Sequence, residues 1–345
     1  MTAPAILRDV LALDIGGANI KAADGTGWTH AEPFAMWREA SRLHAALTRL
    51  ACVAAPRRMV ATMTGEIADC FRTRAEGVAH IVRAVAAAAT ECGCEPPGIY
   101  RLDGRIVSPD DAIADPLAVA ASNWHAVARL ASSLVPEARA MLVDIGSTTT
   151  DVVLLAAGRP ASRALDDAGR MLSGELVYTG VERTPVAAVV RSLPHRDARR
   201  PVASERFAES RDAWLLLGEL AEDPVSHETA DGGPLTRDAA RVRLARQMLL
   251  EPGELTPADA QRAAVWIART QARQVARAMA GLAEQCGGPP EAVVHSGHGE
   301  GLARMACERL GWHARTVSLP ATMGAAVSRS APAHALALIA LGALA

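Results

Sequence analysis

An α/β protein of two domains related by internal duplication is the fold this sequence predicts. The chain has 345 residues, long for one hydrophobic core and comfortable for two domains of ordinary size. Strand-like apolar runs alternate with helical stretches, the signature of an α/β architecture. Leu13-Asp14-Ile15-Gly16-Gly17-Ala18-Asn19 also matches Val143-Asp144-Ile145-Gly146-Ser147-Thr148-Thr149 in an apolar-Asp-Ile-Gly-small pattern. A repeat of this kind points to two copies of one folding unit. The expected boundary lies near Pro136, giving domains 1–136 and 137–345, with a C-terminal helix over 332–344 packing back on the first.

Each copy of the repeat is flanked by apolar runs, Val10–Leu13 and Ile20–Ala23 in the first, Met141–Val143 and Val152–Ala156 in the second. The expected local structure is strand, tight turn, strand, twice. Between the copies, helical periodicity covers Trp37–Ala54 and Ala75–Thr90, with strands at Arg58–Thr62 and Gly98–Leu102. Asp115–Leu134 reads as a helix, with Asp115 as N-cap before Pro116. In the second half, helices are expected over Val181–Arg191, Phe207–Leu220, Asp238–Leu250 and Pro257–Gln285, with an irregular arginine-rich segment from Ser192 to Arg206. Ala292–His295 reads as a buried strand, Gly299–Leu310 as a helix and Ala314–Val317 as a last strand.

Composition narrows the partners. Hydrophobic residues make up 50% and charged ones 21%, the balance of a globular protein. A net charge of −2 offers no polycation to follow a nucleic-acid backbone. The six cysteines are thinly spread, so reduced thiols are expected, and Cys92-Gly93-Cys94 lacks a second pair at zinc spacing. Arg8 and Asp9 precede the first apolar run without a cleavage pattern after it, and Ala335–Ala345 is too short to span a bilayer. The expectation is a cytoplasmic protein with small-molecule partners, without nucleic acid or membrane; the oligomeric state stays open, a homo-oligomer included.

The chemistry concentrates in the repeat. A strand ending in Asp-Ile-Gly-Gly brings a carboxylate to the loop, and the turn leaves the N–H groups of Gly16, Gly17 and Ala18 to converge on an anion, with Asn19 closing the loop. Asp14 and Asp144 are the expected ligands of a magnesium ion, which prefers hard oxygens and retains water. Gly146, Ser147, Thr148 and Thr149 supply the second loop, where small hydroxyls suit phosphate oxygens. The bland reading of each aspartate is a carboxylate capping its own turn. Lys21 is the only lysine in a chain otherwise furnished with arginine. A compact ammonium fits beside phosphate in a tight turn where a guanidinium fork needs room. Val293-Val294-His295-Ser296-Gly297-His298-Gly299-Glu300 is a third element, in which Gly297 and Gly299 open a helix N-terminus suited to an anion or nucleotide. His295 and His298 show no third metal ligand nearby.

These three elements resemble the phosphate-one, phosphate-two and adenosine motifs of the actin, sugar-kinase and hydantoinase A/oxoprolinase superfamily. A narrower resemblance rests on Thr62–Phe71, Ala120–Trp124, Gly174–Gly180 with Arg183–Val186, and Thr229–Gly232. These segments are similar to hydantoinase-like proteins of tetrahydromethanopterin-linked one-carbon metabolism, a group that includes a methanofuran-biosynthesis condensing enzyme. The resemblance implies a duplicated actin-like, ribonuclease H-like fold whose two domains flank a central cleft.

It also implies a transferase of methanofuran or methylofuran biosynthesis that joins an aminomethylfuran-methyl diphosphate to the phenol of a (γ-glutamyl)tyramine or tyrosine acceptor and releases pyrophosphate. Magnesium is the implied cofactor; ATP is compatible but not required. Asp14, Lys21, Asp144, Glu66 and Asp231 are then the catalytic candidates, with Asp69 and Glu175 further carboxylates of the matching segments. Glu175, Tyr178 and Arg183 are the substrate-binding candidates, and the arginines from Arg191 to Arg211 are potential receivers of substrate carboxylates. Two other readings stay open: an ATP-dependent small-molecule kinase or hydantoinase/oxoprolinase-like ATPase, and a non-catalytic nucleotide-sensing regulator.

Overall fold

The computed structural model describes residues 8–344; the reading of the N-terminus as leader-free falls partly outside them, as does Ala345 of the apolar C-terminal run. Two six-stranded sheets carry the fold. The first contains β1 (Arg8–Ile15), β2 (Asn19–Ala23), β3 (Thr29–Pro33), β4 (Pro56–Met63), β5 (Glu95–Tyr100) and β6 (Ile106–Val107), in the order β3-β2-β1-β4-β5-β6. β1 runs parallel to β4 and β4 to β5, whereas β2, β3 and β6 join antiparallel.

The second sheet contains β7 (Ala140–Ile145), β8 (Thr150–Ala156), β9 (Arg159–Pro160) and β10 (Leu176–Val177), and a hairpin of β11 (Ser192–His195) with β12 (Ala198–Pro201) stands apart from it. β13 (Ala292–Gly297) and β14 (Arg315–Ser318) complete the order β10-β8-β7-β13-β14, with β9 on β8. In both sheets the strand before the aspartate turn lies between the strand after that turn and a strand from later in the chain. The sequence repeat is therefore also a repeat of topology.

The chain forms two compact units, one drawn from Met1–Leu142, Val153–Arg170 and Val317–Ala345, the other from Val143–Val152 and Met171–Thr316. In the first, Leu11, Leu13 and Ile15 enter the core beneath the helices Leu43–Ala54 and Arg74–Glu91. Side chains alternate along a strand, so Val10, Ala12 and Asp14 point to the opposite face. The helix Ala331–Ala340 packs on β1, β2 and β4, and β1 is buried from Val10 onward. Thr73 starts Arg74–Glu91 by accepting the Glu76 N–H at 3.1 Å, while the Glu76 carboxylate accepts the Arg72 N–H at 2.9 Å. In the second unit the 29-residue helix Pro257–Gln285 forms the spine of the core. Arg243 is completely buried there and is held by Asp212 at 2.7 Å. Among the described residues, no helix is long and apolar enough to cross a membrane.

Several elements depart from the sequence expectation. Trp37–Ala54 is divided into Met36–Glu39, a 3-10 turn Ala40–Arg42 and Leu43–Ala54. Asp115–Leu134 breaks because Ala121 adopts a left-handed backbone, φ 48°; the helix begins only at Asn123, and Asp115 ends the preceding helix Pro109–Ala114 without capping the next turn through its side chain. Val181–Arg191 is helical only over Val186–Val189 and Phe207–Leu220 only over Ser210–Leu216, because the intervening backbone bonds to the second loop and to neighbouring turns. The arginine-rich segment contains the β11–β12 hairpin, with Arg199 lying over the Trp266 ring at 3.9 Å. The C-terminal run forms a helix that stops at Ala340.

Candidate active site

The first loop is built by register. Asp14 stands opposite Lys21 across the β1–β2 pair and opposite Thr62 across β1–β4. The Gly16 N–H donates to the Asn19 carbonyl at 2.9 Å, so the turn consumes the first of the three amides expected to meet an anion. Among the described residues, the N–H groups of Gly17 and Ala18 meet no protein acceptor, and a Cβ on Gly17 would touch nothing within 4 Å. The loop therefore offers two amides and open space. Asp14 is buried, and its Oδ1 has no hydrogen-bond partner among the described residues. Burial pushes its carboxyl above the usual range, and Lys21, whose Nζ stands 3.9 Å from Oδ2, pulls it partly back. A buried carboxylate oxygen without a partner is unfavourable unless a cation reaches it.

Glu66 lies at the next turn. The Thr64 N–H donates to the Ile15 carbonyl at 3.0 Å, and a Cβ on Gly65 would fall 2.9 Å from the Gly16 carbonyl oxygen, so this turn packs directly on the first loop. The Glu66 side chain is completely buried, and neither carboxylate oxygen makes a well-formed hydrogen bond among the described residues. Burial raises it to about 7, with the amides of Glu66 and Ala121 and the Arg74 charge opposing and Asp167 adding to the rise. Arg74 stands 3.7 Å from Glu66 and 2.7 Å from Asp167, bridging the two carboxylates. Gly77 permits this arrangement, since a Cβ there would lie 2.2 Å from the Glu66 carbonyl oxygen.

The second loop reproduces the first. The Gly146 N–H donates to the Thr149 carbonyl at 3.0 Å, and the N–H and hydroxyl groups of Ser147 and Thr148 have no protein partner among the described residues. The carbonyl of Ser147 accepts the N–H of Glu182 at 3.0 Å and of Arg183 at 2.8 Å, which places the Arg183 backbone on the loop. Gly180 packs so closely that a Cβ would fall 2.6 Å from the Ser147 carbonyl carbon. Gln271 fixes this approach by donating to Thr179 Oγ1 at 2.9 Å and to the Gly180 carbonyl at 2.8 Å, while Trp214 Nε1 donates to Gln271 Oε1 at 2.9 Å.

The third element serves the second loop. The N–H groups of His298 and Gly299 donate to the Ile145 carbonyl at 3.1 and 3.2 Å. Gly297 has φ +82°, and a Cβ on it would sit 2.1 Å from the Ile145 carbonyl oxygen and 2.9 Å from Asp144 Oδ1. A Cβ on Gly299 would fall 2.3 Å from Ile145 Cγ2. Close packing, beyond any ligand, thus requires both glycines. Gly297→Ala is expected to cost about 1–2 kcal/mol for its left-handed backbone and a further ~1–3 kcal/mol for overpacking, read as a lower urea midpoint. The helix beyond starts on acidic groups: Glu300 is its first residue, and the Glu219 carboxylate packs on Gly301 and accepts from Arg304 at 3.1 Å.

Other expected site residues are tied to the chain itself. Asp231 accepts the Gly233 N–H at 3.0 Å and pairs with Arg243 at 3.2 Å and Arg246 at 3.3 Å. Against the rise that burial brings, these partners hold it below the usual range, which suits a turn cap rather than a base near neutrality. Glu175 is completely buried and accepts the Ser173 hydroxyl at 2.7 Å. Tyr178, by contrast, is 62% exposed. Asp69 is exposed. Burial, with Arg206 and Arg211 close by, lowers Arg183, and the arginines beyond it bond within the chain, Arg206 to Glu209 and Arg211 to Glu182 at 3.4 Å. His298 Nε2 lies 3.1 Å from Glu182, and His295 Nε2 3.5 Å from Cys307 Sγ. Among the described residues, no three His, Cys, Asp or Glu side chains converge as a metal group.

Arg74, Asp167, Gly77, Gly180 and Gln271 were not singled out from the sequence. The Thr73-to-Glu76 cap and the glycine ending Gly174–Gly180 were visible signals for two of them, whereas Gln271 carried none.

Two aspartate-led turns on a duplicated α/β topology define a protein of the actin-like ATPase and sugar-kinase fold class. The hydantoinase/oxoprolinase family model matches residues 57–341, and the chain belongs to that family. It is 31% identical over 240 residues, 69% of this chain and 70% of the relative, to the (4-{4-[2-(gamma-L-glutamylamino)ethyl]phenoxymethyl}furan-2-yl)methanamine synthase of Methanocaldococcus jannaschii. The protein of the same name from Methanococcus vannielii is 32% identical over 116 residues, 34% of this chain and 52% of that protein. Nucleotide-free acetone carboxylase superimposes with a TM-score of 0.54 at 13% identity, over 94% of this chain and 70% of that one, a likeness of fold alone.

Proposed function

We infer that this chain is a condensing synthase of methanofuran-type cofactor biosynthesis. It joins the methylene carbon of an aminomethylfuran-methyl diphosphate to the phenol oxygen of a (γ-glutamyl)tyramine or tyrosine acceptor, an alkyl transfer that forms an aryl ether. The similarity to the M. jannaschii synthase across 69% of the chain carries this reading. The geometry of the first unit supports it.

In the reaction the phenol gives up its proton, its oxygen forms the new C–O bond, and the bond from the methylene carbon to the diphosphate oxygen breaks. Glu66, raised to about 7 beside the first loop, is the carboxylate suited to hold that proton near neutral pH. The Gly17 and Ala18 amides and the Lys21 ammonium receive the leaving diphosphate, where stabilising the developing negative charge contributes most to the rate. Magnesium, when bound, would neutralise diphosphate charge. The orphaned Asp14 Oδ1 fits such an ion, which needs few carboxylates because phosphate oxygens and water complete its shell. Asp144 holds the equivalent place in the second unit's loop.

ATP is not consumed. The acidic start of the helix Glu300–Leu310, with Glu219 packed on Gly301, is a poor seat for a further phosphate. The purified protein, given the furan diphosphate, a tyramine-type acceptor and Mg²⁺, is expected to release pyrophosphate in step with ether product. Absence of product, or strict dependence on ATP, would reject the reading.

A further inference from the structure

We propose that Cys52 and Cys92 form a reversible oxidation site in the first unit, closing to a disulfide when a low-molecular-weight disulfide reaches them. The pair is held by the packing of two helices. Helix Leu43–Ala54 presents His44, Thr48 and Cys52 at four-residue intervals along one side. The end of helix Arg74–Glu91 lies against that side: Glu91 Oε2 is 2.9 Å from His44 Nε2 and accepts the Thr48 hydroxyl at 3.3 Å. The next residue is Cys92, whose Sγ stands 3.5 Å from the Thr48 carbonyl oxygen and 3.1 Å from Cys52 Sγ. A disulfide bond is about 2.05 Å long, so closure needs an approach of about 1 Å. Cys94, by contrast, directs its Sγ to the Pro56 carbonyl at 3.3 Å.

The two thiols differ in accessibility. Cys52 is exposed and within reach of a small oxidant, whereas Cys92 is half-buried. Burial, the contact with Cys52 and the nearby charges push Cys92 up to about 12, and the exposed Cys52 is the thiol a small disulfide reaches first. The Cys52 thiolate attacks the small disulfide, forms a mixed disulfide and releases one small thiol. With the charge on Cys52 gone, Cys92 loses its proton to water more readily and displaces the second small thiol. Two protein thiols are oxidised and one small disulfide is reduced to two thiols. No third ligand converges here among the described residues, so the cluster suits thiol exchange and not a metal. This inference is independent of the reaction proposed above.

Oxidised glutathione added to the reduced full-length protein is the test. Thiol titration is expected to lose two of the six thiols, with a mass loss of two hydrogens and a Cys52–Cys92 cross-linked peptide, all reversed by dithiothreitol. Cys94→Ser should behave as wild type, and Cys52→Ser, at an exposed position, should abolish the cross-link. An unchanged thiol count, a cross-link mapping to Cys94, or an intramolecular cross-link surviving in Cys52→Ser would overturn the proposal.

Discussion

Glu66→Gln is expected to lose condensation activity by about 10²–10⁴-fold, the usual contribution of a positioned general base, and to lose at the same time a pH dependence of stability that the wild type carries. The sign follows from linkage. Burial raises the folded carboxyl from 4.5 to about 7. Below pH 4.5 both folded and unfolded states hold the proton, and the shift costs nothing. As pH rises from 4.5 to about 7 the unfolded chain releases its proton first, so stability falls, and above 7 the penalty is complete. At about 1.4 kcal/mol per pH unit the loss is on the order of 3 kcal/mol. Glutamine cannot titrate, so the stability change from pH 4.5 to pH 8 should be more favourable in the variant by that amount, measured by urea unfolding across the range. Identical pH profiles for variant and wild type would refute the burial argument, and full activity in the variant would remove Glu66 from the chemistry. A residue that weakens the fold near neutral pH while supporting turnover is what a functional carboxylate in a closed environment should look like.

Both aspartate-led turns were legible because a short local pattern determines them: an apolar strand, an aspartate near its end, and a small residue that lets the chain reverse. The same locality explains the failures. No residue near Ala121 announces a left-handed backbone, yet that position decides where the helix before the second domain begins. The β11–β12 hairpin was hidden because its arginines satisfy themselves on partners such as Trp266 and His195, which polarity patterns do not reveal. The Glu66 environment depends on Asp167, which is 93 residues from Arg74 in sequence and 2.7 Å from it in space. Conversely, Asp231 and Glu175 are held within the chain, Asp231 by the Gly233 amide with Arg243 and Arg246, Glu175 by the Ser173 hydroxyl. Such ties link residues through the fold, so a short sequence segment does not separate a base from a turn cap.

Lys21→Ala is expected to reduce turnover by about 10²–10³-fold, the scale for removing one charge-stabilising donor, with little change in unfolding midpoint because the side chain is partly exposed. Lys21→Arg should recover only a small part of that loss. The ammonium stands 3.9 Å from Asp14 Oδ2 across the strand pair, within a loop whose free amides are those of Gly17 and Ala18. A planar guanidinium at that position spreads its charge over a fork that must displace either the loop or the phosphate oxygens. The substitution also acts through Asp14. Lys21 is the charge that opposes the burial-driven rise of the Asp14 carboxyl, so removing it lets that carboxyl hold its proton to higher pH. If ionised Asp14 is the form that works, the acid limb of the pH–rate profile moves to higher pH in Lys21→Ala and moves much less in Lys21→Arg, which keeps the positive charge. Rate loss without the limb shift would assign Lys21 to the leaving group alone; activity within twofold of wild type in Lys21→Ala would remove the first loop from the mechanism.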